Sequence, residues 1–203
     1  MKMYWSSRSP FVRKAMLVAH EVGVADRIEK IPVVVSSTMK PTADVMRHNP
    51  LNKIPTLITY DGLVLFESVV VCEYLDSLHT GAKLFPASGR ARWEALRWQA
   101  LGSGMLEAEI LWRSETRRPS PMQIVIDAFE EKVRTSLDVL EKEAVTLSAA
   151  PYCIGHVSVA CALAYLDFRF TDFDWRKRRP QIAACFEALN ARPAMQATAF
   201  VDA

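Results

Sequence analysis

Two serines stand where the sequence predicts that helices begin, and the positive end of a helix attracts anions. Ser9 precedes Pro10, which gives a good N-cap followed by a good first helical residue. Ser68 follows Glu67 at the start of a second helical pattern. A hydroxyl and free N–H groups at such a position can bind a carboxylate, although either serine could instead be a plain helix cap.

A proline between these serines predicts a second binding feature. Pro55 stands at the first position of a predicted strand, Thr56–Tyr60, where its missing N–H is tolerated and a cis bond is reasonable. Such a bend would leave the main chain of Ile54 open to an extended peptide docking in the manner of a strand. An Asp61-Gly62 turn and a second strand, Leu63–Phe66, then lead to Ser68. A peptide-docking edge and a carboxylate-binding helix therefore lie one hairpin apart, which suggests a site for a small acidic peptide.

Composition narrows the class of protein. The 203 residues are half apolar and carry a formal charge of +2, enough for one sizeable core or two small domains. Scattered Lys and Arg argue against a nucleic-acid surface, and neither a signal peptide nor a membrane-spanning run is evident. The four cysteines and four histidines show no metal-ligand spacing. We expect a cytoplasmic, metal-free protein that binds neither nucleic acid nor a membrane.

The first part of the chain predicts a mixed sheet with helices on its faces. A strand at Lys2–Trp5, the helix that starts at Ser9 and ends at Gly23, and a strand at Ile28–Val35 form a β-α-β unit. Pro32 places that second strand at a sheet edge. A polar loop over Ser36–His48, the hairpin and the helix from Ser68 complete a thioredoxin-like arrangement over residues 1–79.

The rest of the chain, from residue 80 onwards, has a mainly helical pattern. Residues 80–89 predict a linker, and residues 90–203 predict an all-helical domain. The predicted helices are Arg90–Glu115, Met122–Ser148, Ser158–Phe170 and Pro180–Ala191. The third is nearly all apolar and should lie at the centre of its domain. The fold class is therefore α/β plus all-α.

Five motifs in this order resemble the cytosolic glutathione transferase superfamily, in particular its serine-type bacterial and tau-like members. They are SPFVRK from Ser9, NPLNKIPTL from Asn49, FES from Phe66, PYCIGHVSVACALAYLD from Pro151 and ARPAM from Ala191. They are spread along nearly the whole chain, in the right order and spacing. In one place the chain departs from the pattern: Cys161 replaces the Asp that would complete a capping box with Ser158, so Ser158 is expected to cap its helix one way only.

The resemblance implies roles in binding glutathione. The Ser9 hydroxyl would donate a hydrogen bond to the glutathione sulfur, with Ser6 and Ser7 as alternatives because the loop length is uncertain. Ile54 would bind the cysteinyl backbone through its main chain, and Pro55 would hold the bend. Glu67 and Ser68 would receive the γ-glutamyl end, and Lys40 and Lys53 the glycine carboxylate. Since no Cys precedes Cys72, disulfide exchange through an enzyme thiol is not expected.

The resemblance also implies partners. An electrophilic, apolar second substrate would lie against a wall for which Phe11, Trp112, Arg113 and Tyr165 are candidates, together with Trp5. Arg13 could act near the sulfur or form a salt bridge. A homodimer is expected. Three functions remain open: a transferase, a binding or regulatory protein of the same fold, and a specialised glutathione-dependent isomerase, dehalogenase or ether-cleaving enzyme.

Overall fold

The computed structural model describes residues 1–36 and 39–202. They form two compact units, one of residues 1–85 together with the C-terminal segment from Ala197, the other of residues 86–196. The predicted Ser36–His48 loop includes residues 37 and 38, which lie outside the described part.

The first unit is built on a four-stranded mixed sheet of order β2-β1-β3-β4. The strands are β1 (Lys2–Trp5), β2 (Glu29–Pro32), β3 (Thr56–Ile58) and β4 (Val64–Phe66). β1 runs parallel to β2 and antiparallel to β3, and β3 runs antiparallel to β4. The predicted mixed sheet and the edge position of the proline-containing strand are confirmed, which agrees with the missing N–H of Pro32.

The helices of this unit are α1 (Pro10–Glu21), α2 (Ala43–Met46) and α3 (Ser68–Ser77), with a short 3-10 turn at Ala25–Arg27. α1 and α3 pack against each other. Val12 and Leu17 of α1, and Val71 and Leu75 of α3, are fully buried. Burial of these aliphatic side chains holds the two helices against each other.

The hairpin differs from the predicted two-residue turn. Its strands are shorter, and residues 59–63 form a five-residue connection closed by a hydrogen bond from the Thr59 N–H to the Leu63 carbonyl (2.9 Å). The Thr59 hydroxyl bonds the Asp61 carboxylate, and Gly62 has a φ of +83°. A threonine that satisfies its hydroxyl within the loop favours the turn over another strand residue, which is why the tight Asp-Gly turn does not form.

The second unit is helical, and the predicted fold class is confirmed. Its helices are α4 (Gly89–Thr116), α5 (Gln123–Ala149), α6 (Ile154–Arg169) and α7 (Pro180–Asn190), and α8 (Pro193–Ala197) leads into the C-terminal segment. α6 is buried along almost its whole length, as its apolar sequence predicts. It packs against α4 and α7, while α5 packs against α4 and α7.

Two glycines bring α4 and α6 into backbone contact. A Cβ on Gly102 would lie 2.5 Å from the Ser158 carbonyl carbon and 2.8 Å from the Val159 nitrogen. A Cβ on Gly155 would lie 2.8 Å from the Trp98 Cβ. The two helices therefore require residues without side chains at these points.

The start of α6 corrects the predicted cap. Ser158 lies inside the helix, and its hydroxyl is buried without a hydrogen-bond partner. The N-cap is Cys153, whose N–H donates to Nδ1 of His156 (3.1 Å) at the third helical position. A capping box thus exists one turn earlier, with a thiol and an imidazole in place of the usual hydroxyl and carboxylate. Because Cys161 lies in the interior of the helix, its replacement of the family's Asp removes no capping hydrogen bond.

His156 is held in one tautomer by its partners. Its Nε2 lies 2.7 Å from the Leu147 carbonyl oxygen and must carry the proton, so that Nδ1 can accept from Cys153. Burial lowers the pKa of this imidazole, since a charged ring is poorly solvated there. The cap therefore uses the neutral ring.

The predicted linker begins with an anchored segment. The buried Asp76 carboxylate accepts from the N–H groups of Leu84 (3.0 Å) and Phe85 (3.1 Å) and lies 3.0 Å from Nε2 of His79. Leu84 and Phe85 are themselves buried in the first unit. The carboxylate at the end of α3 thus ties down the chain as it leaves this unit.

Candidate functional site

Three chain segments meet at one edge of the sheet, the edge that is formed by the ends of the strands. Tyr4 of β1 pairs with Thr56 of β3, which pairs with Phe66 of β4. Because β3 runs antiparallel to both neighbours, the segments that follow Tyr4 and Phe66 and the segment that precedes Thr56 leave the sheet at the same edge. The Ser6–Ser9 loop, the Ile54-Pro55 peptide and the Glu67-Ser68 pair are therefore brought together.

The size of this edge suits a short peptide. Adjacent strands lie about 4.8 Å apart, so the distance across three strands is about 10 Å. An extended peptide advances about 3.3 Å per residue, so three residues span that distance. The N-termini of α1 and α3 both open at this edge, and each favours a negative group.

Ser9 is the N-cap of α1. Its Oγ accepts a hydrogen bond from the Val12 N–H (3.3 Å), and its own N–H donates to the Ser6 carbonyl (3.2 Å). The cap uses a lone pair of the hydroxyl and leaves its proton available for donation. The capping role and a donor role are therefore compatible in the same side chain. Ser6 Oγ instead lies near the Arg8 N–H (3.4 Å).

The peptide bond between Ile54 and Pro55 is cis, as its position predicted. β3 begins only at Thr56, so Ile54 stands just before the ladder. Within the described part of the chain, its main chain makes no hydrogen bond with another residue. This peptide can therefore pair with an extended ligand.

Asn49 shapes the loop that presents this peptide. It is only 1 % exposed, and its Nδ2 donates to the Lys53 carbonyl (2.9 Å) and lies 3.1 Å from the Thr56 hydroxyl. Its Oδ1 accepts from the Leu51 N–H (3.0 Å). One buried amide thus fixes the loop on both sides of Ile54. Sequence reasoning missed this role, although an Asn that begins a turn before proline could have indicated it.

The two candidate lysines are exposed, and the loop that carries one is tied to the segment that carries the other. Lys53 directly precedes Ile54, and Lys40 lies two residues before Thr42. The Thr42 N–H donates to Oδ1 of Asn52 (3.0 Å), and Asn52 has a φ of +50°. This bond, also missed from sequence, joins the segment after Lys40 to the loop of Lys53.

Glu67 is held in an unusual conformation. Its φ of +69° is rare for a residue with a side chain. The buried Ser68 hydroxyl donates to its carboxylate (3.0 Å), and its carbonyl accepts from the Val71 N–H. Such strain is typical of residues that a fold holds in place for binding. The hydroxyl of Ser68 thus orients Glu67, while its main-chain N–H stands at the helix N-terminus.

The candidates for a second-substrate wall have different surroundings. Trp112 is 6 % exposed and packs on Phe170, with ring centres 4.5 Å apart. Tyr165 is 4 % exposed, and burial raises the pKa of its phenol against the opposing effect of Arg113. In the other unit, Phe11 is half-buried at the start of α1. Trp112 and Tyr165 therefore contribute chiefly to the core of the helical unit.

The described residues show neither a metal-binding cluster nor a membrane-spanning helix. Residues 1–36 and 39–202 contain no group of three or more His, Cys, Asp or Glu side chains placed to hold a metal ion. Over the same ranges, no helix is both long and apolar enough to cross a membrane. All four cysteines are buried, and none of them forms a disulfide bond.

Comparison with known proteins identifies the family. Residues 8–78 match the family model of the glutathione S-transferase N-terminal domain, and residues 123–188 match that of the C-terminal domain. The uncharacterised GST-like protein YibF of Escherichia coli K12 is 30 % identical over 98 % of both chains. The chain belongs to the cytosolic glutathione S-transferase superfamily.

Solved structures agree over nearly the whole chain. A glutathione transferase family member from Pseudomonas fluorescens Pf-5 with bound glutathione superposes with a TM-score of 0.93 at 40 % identity and 97 % coverage of both chains. A further structure from that organism, with bound S-(propanoic acid)-glutathione, gives a TM-score of 0.89 at 38 % identity and 98 % coverage of both.

Proposed function

We propose that this protein is a glutathione transferase that binds glutathione along the sheet edge and activates its thiol through Ser9. The proposal depends mainly on one observation: Ser9, the cis Ile54-Pro55 peptide and Glu67-Ser68 meet at one edge of the sheet. This edge is about as long as three residues of extended peptide. The glutathione bound by the structural relative supports it. In this arrangement the Ile54 main chain pairs with the cysteinyl residue, which points the sulfur towards α1.

The two ends of glutathione meet groups of suitable charge. The γ-glutamyl carboxylate lies at the N-terminus of α3, where the Ser68 N–H donates to it, and the Glu67 carboxylate receives the ammonium group. The ammonium groups of Lys53 and Lys40, carried on tethered loops, donate to the glycine carboxylate. The hydrogen bond from the Ser68 hydroxyl positions the strained Glu67, so the ligand does not have to do so.

Activation requires a modest stabilisation of the thiolate. A thiol with a pKa of about 8.5 is only a few per cent ionised at pH 7. A shift of about 2 units makes the thiolate the major form and corresponds to about 2.7 kcal/mol. One hydroxyl donor contributes about 1.5–3 kcal/mol to a charged acceptor, and the end of α1 adds to it. The sulfur then forms a bond to an electrophilic carbon of the second substrate, while the bond from that carbon to a leaving group, or the π bond of an activated alkene, breaks and takes the electron pair. No covalent intermediate with the enzyme is formed.

The first test removes the hydroxyl. In Ser9→Ala, the pKa of the glutathione thiol bound to the protein should rise by about 1–2 units towards the free value, because the donor is lost. Ultraviolet difference titration of thiolate absorbance against pH measures it. Binding of glutathione without a lowered pKa in the wild-type protein would favour the binding or regulatory alternative.

Matched variants separate the donor from the helix cap. Ser9→Gly also lacks the hydroxyl but costs only a few tenths of a kcal/mol as a cap. It should therefore give the same pKa shift as Ser9→Ala with less loss of stability. Ser6→Ala and Ser7→Ala should leave the thiol pKa unchanged, and a shift in either would move the donor role to that serine.

We also propose that two copies associate through α3 of one and α4 of the other. Val70 on α3 and Trp93 on α4 are exposed apolar side chains, Trp93 by 69 %. Trp93→Glu should raise the dissociation constant of the dimer at least tenfold, because a charge then replaces the aromatic anchor that the second copy would bury. Sedimentation velocity measures it, with the exposed Ile124→Glu of α5 as control. A wild-type monomer at micromolar concentration would refute the proposal.

A further inference from the structure

A groove of about 390 Å³ opens beside the loop that carries Ser9. Ser6 and Ser7 form one end, and one face of α1 forms its wall. Residues 197–201 of the C-terminal segment form the opposite side, and we call this cavity the tail groove. It lies wholly within the first unit.

The wall of the tail groove is basic. Arg13 and His20 lie two turns apart on the same face of α1, and Lys30 of β2 also lines the groove. Among the described residues that line the groove, none is acidic. The groove thus favours an anion.

Arg13 is held as a recognition group. The side chain is almost completely buried, at 6 % exposure, and its guanidinium carbon lies over the Phe200 ring, 4.4 Å from the ring centre. Arginine is the side chain suited to such a position, because its guanidinium packs on aromatic faces and its N–H donors match a carboxylate. The C-terminal segment thereby orients this cation.

The rest of the lining is apolar. Trp5 and Met16 contribute their side chains, and Nζ of Lys30 lies 5.2 Å from the centre of the Trp5 ring. A ligand that fills the groove therefore needs both an apolar body and an acid group.

The groove adjoins the reacting position. Its Ser6–Ser7 end is the loop that leads directly into Ser9, and the Ser9 N–H is bonded to the Ser6 carbonyl. The main-chain N–H of Arg13, one turn into α1, donates to the Ser9 carbonyl (2.9 Å). A substituent on a sulfur held by Ser9 has this groove beside it.

We propose that the tail groove binds the acid group of the second substrate, so that the electrophile is an organic acid with an apolar body. Its carboxylate is bound by Arg13 and Lys30, and its apolar part lies on Trp5 and Met16. This inference rests on the proposed transferase function, because it needs glutathione in place at Ser9.

The test compares three ligands by isothermal titration calorimetry at low salt. They are glutathione, S-(2-carboxyethyl)glutathione and S-(2-carbamoylethyl)glutathione, of which the last two have nearly the same shape and differ in charge. The wild-type protein should bind the acid about tenfold more tightly than the amide, which corresponds to 1.4 kcal/mol. Lys30→Glu, an exposed position, should abolish the preference and leave the affinity for glutathione unchanged.

The control variant carries the same change of charge outside the groove. Lys142→Glu makes the same change of charge at an exposed position of α5 and should keep the preference. Equal affinity for acid and amide in a wild-type protein that binds glutathione would overturn this inference alone. So would a preference that survives Lys30→Glu or that is lost equally in Lys142→Glu. Failure of glutathione itself to bind would overturn the proposed function instead.

Discussion

Gly102→Ala should lower the free energy of unfolding by about 3 kcal/mol, because backbone on both sides prevents the helices from moving apart freely. The new methyl group would lie 2.5 Å from the Ser158 carbonyl carbon and 2.7 Å from its oxygen, distances that Cβ atoms do not adopt. α6 is the buried centre of the helical unit, so its displacement disturbs contacts with α7 as well as α4. Urea denaturation of the variant and wild type measures the change.

Gly104→Ala is the matched control on the same helix. It is exposed, and a Cβ there would meet no atom within 4 Å. Because alanine is the better helix former, this variant should gain about 0.5–1 kcal/mol. The two substitutions are chemically identical and should differ in sign. A neutral Gly102→Ala would show that α4 and α6 lie farther apart than described.

Most of the fold could be predicted because its signals are local. Pro32 marks the edge strand, Ser9-Pro10 marks the start of α1, and the apolar run of α6 marks the buried helix. The two errors arose where side chains override a local rule. Thr59 satisfies its hydroxyl in a wider turn than Asp-Gly alone favours, and His156 completes a cap that no common motif describes.

The candidate site was only partly accessible from sequence. The segments of Ser9, Pro55 and Ser68 could be named because each carries its own turn or cap signal. The tail groove could not, since its lining comes from segments far apart in the sequence. Nothing in the residues near Phe200 indicates that its ring lies over Arg13, almost the whole chain away.

Glu109 is a buried acid whose removal should stabilise the protein. It is 0 % exposed on α4, and neither carboxyl oxygen has a hydrogen-bond partner. An unsatisfied buried polar group costs about 1–3 kcal/mol, and an apolar side chain of similar volume avoids that cost. Glu109→Met should therefore raise the free energy of unfolding at pH 7 by about 2 kcal/mol, measured by urea denaturation.

The pH dependence separates this effect from simple repacking. Burial raises the pKa of the Glu109 carboxyl well above its usual value, because the charged form is poorly solvated. As the pH rises past about 4.3, the unfolded carboxyl ionises while the folded one stays protonated. The folded state then holds the extra proton, so stability falls with rising pH, by about 1.4 kcal/mol per unit, until the folded pKa is reached.

Glu109→Met and Glu109→Gln both remove this dependence, so their advantage over the wild-type protein should grow from pH 5 to pH 7. The opposite contribution of His156, whose lowered pKa makes stability fall as the pH drops below about 6.5, is present in all three proteins and cancels in the difference. A difference that stays constant with pH would mean that Glu109 ionises as readily in the folded protein as in the unfolded chain. That result would contradict the structure, in which the Glu109 side chain is fully buried and neither carboxyl oxygen has a hydrogen-bond partner.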